Sequence, residues 1–217
     1  MYKHVIKRLI DLILSGVAIV VLAIPMLIIA IAIKIDDPGP VLFKQRRVGQ
    51  KKNGELTYFM IWKFRSMKMC TPHDMPTHLL ENPEQYITRV GKFIRKTSLD
   101  ELPQIYQVFT STLSVVGPRP ALWNQDELIA EREKYGANDV KPGITGWAQI
   151  NGRDELEIPV KAKFDGEYAA ALNAGHFKGF LMDARCFVGT VVSVLRSDGV
   201  VEGGTGEMKR REQDAAK

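Results

Sequence analysis

Asp100 and Glu101 are adjacent carboxylates at the predicted start of a short helix, in the run Arg95-Lys96-Thr97-Ser98-Leu99-Asp100-Glu101-Leu102-Pro103. Two acids at a helix start can simply cap it and complement its dipole, with Ser98 or Asp100 as the capping residue. Their company points to more. Lys63 and Arg65 follow an apolar run, Arg95 lies just upstream, and Arg119 sits between Pro118 and Pro120. Carboxylates facing several cations suit a metal ion and phosphates. Magnesium takes one or two carboxylates and completes its shell with phosphate oxygens, so Asp100 and Glu101 are candidate ligands. A carboxylate can also attack phosphorus, while cations neutralise the charge building on the leaving group.

These residues need a scaffold, and the pattern predicts an α+β, mainly helical one. Val41 to Gln45 and Leu56 to Phe64 are β-rich runs flanking Asn53-Gly54, a dipeptide suited to a hairpin turn. Helical pieces are expected at 87–94, 102–110, 124–135, 160–173 and 177–196. In the last of these Phe180, Ala184, Phe187, Val188, Val191 and Leu195 share one face, which docks on the core or, as the second choice, on a membrane surface. Gly117-Pro118-Arg119-Pro120 and Lys141-Pro142-Gly143 read as rigid turns. Residues 69–85 read as a long loop or cover, and 203–217 as a poorly ordered tail.

From Leu9 to Ile33 the only charged residue is Asp11. A helix of this stretch reaches about 37 Å, enough to cross a bilayer core. Lys3, Lys7 and Arg8 precede it, and Lys34, Lys44, Arg46 and Arg47 follow, so the positive-inside preference draws both ends to the cytoplasm. Pro25 lacks the N–H that would bond back to Val21 and favours a kink, allowing the helix to enter and leave on one face. Hydropathy alone favours an ordinary single-pass anchor with a tolerated proline, and the charge symmetry narrows that margin. Asp11 can be neutralised by Lys7 and Arg8, one turn earlier. The expected division is 1–35 membrane helix, 36–202 cytosolic catalytic domain and 203–217 charged tail.

The formal charge of +5 over 217 residues is modest and dispersed, which argues against a dedicated nucleic-acid binder. Cys70 and Cys186 form no CxxC pair and read as free thiols. His4, His73, His78 and His176 make no metal-ligand or triad spacing and read as surface or packing residues.

Taken together, the chain resembles the monotopic phosphoglycosyl transferases, the bacterial sugar transferase family. The matching segments run in family order: Lys7-Arg8-Leu9-Ile10-Asp11, Asp37-Pro38-Gly39-Pro40-Val41, Trp62-Lys63-Phe64-Arg65-Ser66-Met67, Arg95 through Gln104, Val116-Gly117-Pro118-Arg119-Pro120, Lys141-Pro142-Gly143-Ile144-Thr145-Gly146-Trp147, Asn151-Gly152-Arg153 and Glu202-Gly203-Gly204-Thr205-Gly206. The resemblance implies a re-entrant membrane helix broken at Pro25, amphipathic interfacial helices and a small hairpin around a cytosolic active site at the bacterial inner membrane. It implies that Asp100 attacks the β-phosphate of a UDP-sugar, releasing UMP, and that polyprenyl (undecaprenyl) phosphate then takes the phosphosugar, which starts glycan assembly. Glu101 would ligate magnesium; Lys63, Arg95 and Arg119 would hold phosphates or nucleotide; Asp165, Gln149 and Arg153 would join the substrate site. Membrane lipids are expected partners, nucleic acid is not, and a homodimer is left open. Competing readings are a magnesium pyrophosphohydrolase and a non-enzymatic membrane scaffold. Two segments depart from the family pattern: Ile24 stands where a serine often precedes the helix-breaking proline, and Gln107 to Ser114 replaces a usual Asn-x-Leu-x-Gly-x-Met-Ser.

Overall fold

A computed structural model describes residues 2–71, 83–152 and 156–195. Arg153, His73, His78 and the 203–217 tail lie outside the described residues. After a π-helical turn at Tyr2–Ile6, helix α1 runs Lys7–Asp36, with Pro25 inside it and no interruption of the helical assignment. The segment Tyr2–Asp36 is long and apolar enough to cross a membrane. It ends at Asp37-Pro38-Gly39-Pro40, where Asp37 is extended and two prolines preclude further helix.

Two patches of α1 are buried, one near each end. Lys7, Asp11 and Ser15 form the first; Met26, Ile29 and Ile33 form the second. Between residues 15 and 26 no side chain is buried, and Val17, Val20, Val21, Ile24 and Pro25 are exposed. The first patch does not neutralise itself as the sequence suggested. Asp11 instead accepts from Ser114 Oγ at 2.8 Å and the Val115 N–H at 2.9 Å, Lys7 Nζ pairs with Asp183 at 2.8 Å, and Arg8 donates to the Val108 and Phe109 carbonyls at 2.8 and 2.6 Å. Asp11 and Arg8 thus find neutral hydrogen-bond partners, and Lys7 a charged one, in other elements. The second patch packs on Phe64 and Ile94, and Asp36 and Asp37 fasten its end to the Val90 N–H and to Arg65. Both ends of α1 are therefore tied to the same folded body.

Strands β1 (Leu42–Val48) and β2 (Tyr58–Phe64) pair antiparallel, with Leu42 opposite Phe64 and Val48 opposite Tyr58. Asn53 (φ 51°) and Gly54 (φ 84°) turn the chain between the bridged pair Lys52 and Glu55, the positive-φ geometry that favours this dipeptide. A looser segment then leads into the longer ladder. The free edge of β2 is capped by a side chain: Gln107 accepts from the Trp62 N–H at 2.9 Å and donates to the Met60 carbonyl at 2.7 Å, imitating a third strand.

Helix α2 (Arg89–Lys96) starts on Thr88, whose Oγ1 accepts from the Gly91 N–H. A 3-10 turn, Leu99–Glu101, and helix α3 (Gln104–Phe109) follow. Strand β3 (Ser114–Val116) pairs parallel with β4 (Gly143–Thr145), a ladder three residues long that the sequence did not reveal; the expected turns at 117–120 and 141–143 adjoin it and overlap it only at Gly143. Helix α4 (Asp126–Glu133) lies between them in sequence, and α5 (Trp147–Ile150), α6 (Ile158–Asn173) and α7 (His176–Leu195) complete the fold. Three apolar clusters form the core: one where the chain start meets β3, α6 and α7, one under α2 and β2, and one joining β1, α4 and α6.

On α7 the expected core face is turned outward. Phe180, Phe187, Val188 and Val191 are exposed, while Asp183 and Cys186 are buried. The reason is polar: Asp183 accepts hydrogen bonds from Tyr2, Lys7 and Tyr168, which outweighs the packing of the phenylalanines. With Phe177, these side chains make an apolar stripe suited to a bilayer interface.

Candidate active site

The 3-10 turn Leu99–Glu101 brings the two acids to the base of α3. Ser98 enters it at φ 56° and makes no side-chain cap, and Pro103 stands immediately before α3, where its missing N–H is harmless. Neither capping arrangement expected from the sequence forms. The acids precede the helix, which leaves their carboxylates available to side chains across the site.

Glu101 Oε1 lies 2.6 Å from Arg119 Nη2 and 2.8 Å from Lys63 Nζ, and Oε2 accepts from Arg119 Nη1 at 3.3 Å. Burial pushes the Glu101 carboxyl up, but Arg119 and then Lys63 outweigh it and hold the group well below the usual carboxylate range. Asp100 is buried, and its Oδ2 is 3.8 Å from Lys63 Nζ, an ion pair longer than a hydrogen bond. Lys63 thus faces both acids from β2. Its strand is held against α3 by Gln107, so one amide side chain fixes the spacing between cation and carboxylates.

Arg119 comes from the turn after β3. The backbones of the two short strands meet there without side chains between them: a Cβ on Gly143 would stand 2.1 Å from the Gly117 N, and one on Gly117 would stand 2.4 Å from the Lys141 carbonyl oxygen. Glycine at both positions lets the turn sit flush on β4 and aim Arg119 at Glu101.

Among the described residues no group of three or more His, Cys, Asp or Glu could hold a metal. Two adjacent carboxylates fit magnesium only if phosphate oxygens and water complete its shell, which is how that ion binds in phosphoryl-transfer sites.

This constellation of carboxylates, lysine and arginine beside an apolar helix falls inside a family model for bacterial sugar transferases, which matches residues 2–197. The chain belongs to the bacterial sugar transferase family. It is 39% identical over 179 residues to a UDP-glucose:undecaprenyl-phosphate glucose-1-phosphate transferase of Escherichia coli strain K12, covering 76% of this chain and 36% of that protein. It is 38% identical over 202 residues to an exopolysaccharide production protein of Rhizobium leguminosarum bv. phaseoli, covering 88% and 96%. It is also 34% identical over 177 residues to an undecaprenyl-phosphate galactose phosphotransferase of Salmonella typhimurium, covering 75% and 36%. The chain thus spans about a third of the length of the first curated relatives it matches, and nearly all of the Rhizobium protein.

Of the other site residues expected in this family member, Arg95 lies half-buried in the last turn of α2, and the Ser98 N–H bonds to its carbonyl at 3.1 Å. Gln149 on α5 donates weakly to the Ile144 carbonyl at 3.3 Å, with its Oε1 buried and unpaired among the described residues. Asp165 is fully buried on α6 and accepts from Arg132 Nε and Nη2 at 2.8 and 2.6 Å; it touches neither Glu101 nor Lys63. Sequence reading missed Arg132, Gln107 and Asp183. Each is a polar residue inside an element, where only the three-dimensional partner reveals the role.

Proposed function

We propose that this chain transfers a phosphosugar from a UDP-sugar to undecaprenyl phosphate, through a phosphosugar bound covalently to Asp100. The observation that carries the reading is the convergence of an acid pair with two cations: Glu101 meets Arg119 at 2.6 Å and Lys63 at 2.8 Å, and Lys63 also faces the neighbouring Asp100 at 3.8 Å. The names of the E. coli and Salmonella relatives support the substrate classes.

In the first step a carboxylate oxygen of Asp100 attacks the β-phosphorus. The new O–P bond forms as the bond between that phosphorus and the bridging oxygen breaks, and the electron pair leaves with UMP. Arg119 and Lys63 neutralise the charge gathering on the departing phosphate. In the second step a phosphate oxygen of undecaprenyl phosphate attacks the same phosphorus. It frees Asp100 as carboxylate and yields a lipid diphosphosugar. Asp100 and Glu101 would hold magnesium, which supplies charge neutralisation on the diphosphate when bound. Burial of Asp100 keeps water from competing for the intermediate.

The same reading takes the membrane helix as re-entrant. It is supported by the Lys7 to Ser15 patch and the Met26 to Ile33 patch resting on one body, with only exposed or half-buried side chains between them. The positive-inside preference then draws both ends of the helix to the cytoplasmic side of a bacterial inner membrane. The active site then works where a lipid phosphate is presented.

The test is UMP release from a panel of UDP-sugars with undecaprenyl phosphate and magnesium. Asp100→Asn should fall below about a thousandth of wild-type turnover, in keeping with loss of a nucleophile, and radiolabelled sugar phosphate should be trapped on the wild type alone. Turnover surviving in Asp100→Asn would overturn the nucleophile. Cysteines placed at positions 4 and 35 should react from one face; labelling from opposite faces would overturn the re-entrant geometry.

A further inference from the structure

The turn that presents Arg119 cannot brace itself. Pro118 and Pro120 carry no N–H, so the backbone donors a turn would normally use are missing on both sides of Arg119. Its carbonyls are instead taken by donors from other elements. The Gly143 N–H bonds to the Pro118 oxygen at 3.0 Å, Arg47 Nη1 to the Pro120 oxygen at 3.1 Å, and Arg132 Nη2 to the Arg119 oxygen at 2.9 Å.

The last of these reaches the residue that matters. Arg132 is 4% exposed and belongs to α4; its Nε and Nη2 both donate to Asp165 Oδ2 on α6, where Asp165 is 0% exposed. A relay therefore runs from Asp165 to Arg132, to the main chain of Arg119, and from the Arg119 guanidinium to Glu101. Burying such an ion pair gives little net stability, since desolvation offsets the attraction. Its value lies in direction: the planar fork of Arg132, fixed by two bonds to one carboxylate, leaves one N–H aimed at the turn.

We propose that Arg132 and Asp165 are a positioning pair for Arg119. They set the main chain of the turn so that the Arg119 guanidinium meets the substrate diphosphate, and Asp165 itself touches no substrate. The inference rests on the reading above that Arg119 engages phosphate.

The experiment uses the full chain in nanodiscs and removes both charges together, Arg132→Met with Asp165→Leu, so that no lone charge stays buried. The unfolding midpoint should stay within a few degrees of wild type. Affinity for inorganic pyrophosphate, measured by calorimetry, should drop about tenfold, and UMP release should drop by about the same factor or more. The deciding comparison is with Arg119→Ala. In that background the pair change should cost less than about twofold further, because a relay that ends on Arg119 has nothing left to position.

A purely structural pair would instead give losses that multiply in the Arg119→Ala background, and that result overturns the proposal. So does a pair variant with wild-type pyrophosphate affinity, or an Arg119→Ala variant that binds pyrophosphate as wild type does. If the pair variant does not fold, Arg132→Lys carries the same comparison: lysine keeps the charge for Asp165 but lacks the fork that also reaches the turn. Failure of the wild type to release UMP from any UDP-sugar would sink the proposed reaction, and the pyrophosphate comparison would still decide this one.

Discussion

Asp183→Ala tests how firmly the start of α1 is tied to the catalytic body. Asp183 takes three donors within hydrogen-bond range: Tyr2 Oη at 2.6 Å, Lys7 Nζ at 2.8 Å and Tyr168 Oη at 2.8 Å. Tyr168 has a second acceptor in the Val116 carbonyl at 2.9 Å and can turn its proton there. Lys7, only 8% exposed, would keep a buried charge with its bonded partner gone. Removing one partner of such a pair costs about 3–5 kcal/mol. For a chain of this size each kcal/mol moves the midpoint by about 2–4 °C, so the expected drop is roughly 6–20 °C. Thermal unfolding of the full chain at a fixed scan rate reads it directly. Lys7→Met combined with Asp183→Leu should recover more than half of the loss, since no unpaired charge remains. A drop of less than about 3 °C for Asp183→Ala, or a double variant no better than the single one, would refute the reasoning.

Other outcomes follow from the same geometry. Because the folded-state pKa of Glu101 is depressed, its stabilising contribution is fully present above the ordinary value of 4.5 and declines as pH falls below it; the stability gap between wild type and Glu101→Gln, measured by melting from pH 3 to 7, should be flat at the neutral end and narrow at the acid end. Gly143→Ala places a Cβ against the Gly117 backbone and should cost about 1–3 kcal/mol while lowering activity through the Arg119 turn, both read on the same preparation. In the native chain Cys70, which is exposed, should react with a thiol reagent, while Cys186 should not; burial, then the charge of Asp183, pushes its thiol up to about 12. Two reactive thiols before denaturation would contradict the placement of α7.

What could be read from the sequence alone was whatever depends on neighbours along the chain. The Asn53-Gly54 hairpin, the end of the first helix at Asp37-Pro38-Gly39-Pro40, and the helices near 124–135 and 160–173 all rest on local backbone preference. The acid pair and the cations Lys63 and Arg119 converge as their types and the family pattern suggested. Elements decided by distant partners were not legible. The β3 and β4 ladder is too short to show a period, and the outward turn of α7 depends on Asp183 finding Tyr2 and Lys7 more than 170 residues away. Asp165 was legible as an acidic residue in the right segment, but its bond to Arg132 depends on how α4 and α6 cross.

The span of α1 between Ser15 and Met26 works as a ruler with both of its ends clamped. One extra residue there would rotate the far clamp by about 100° and swing Met26, Ile29 and Ile33 off Phe64 and Ile94. Seven extra residues, close to two full turns, would restore the facing but carry the far clamp roughly 10 Å along the axis. The count of residues between the clamps is therefore fixed in register as well as in length.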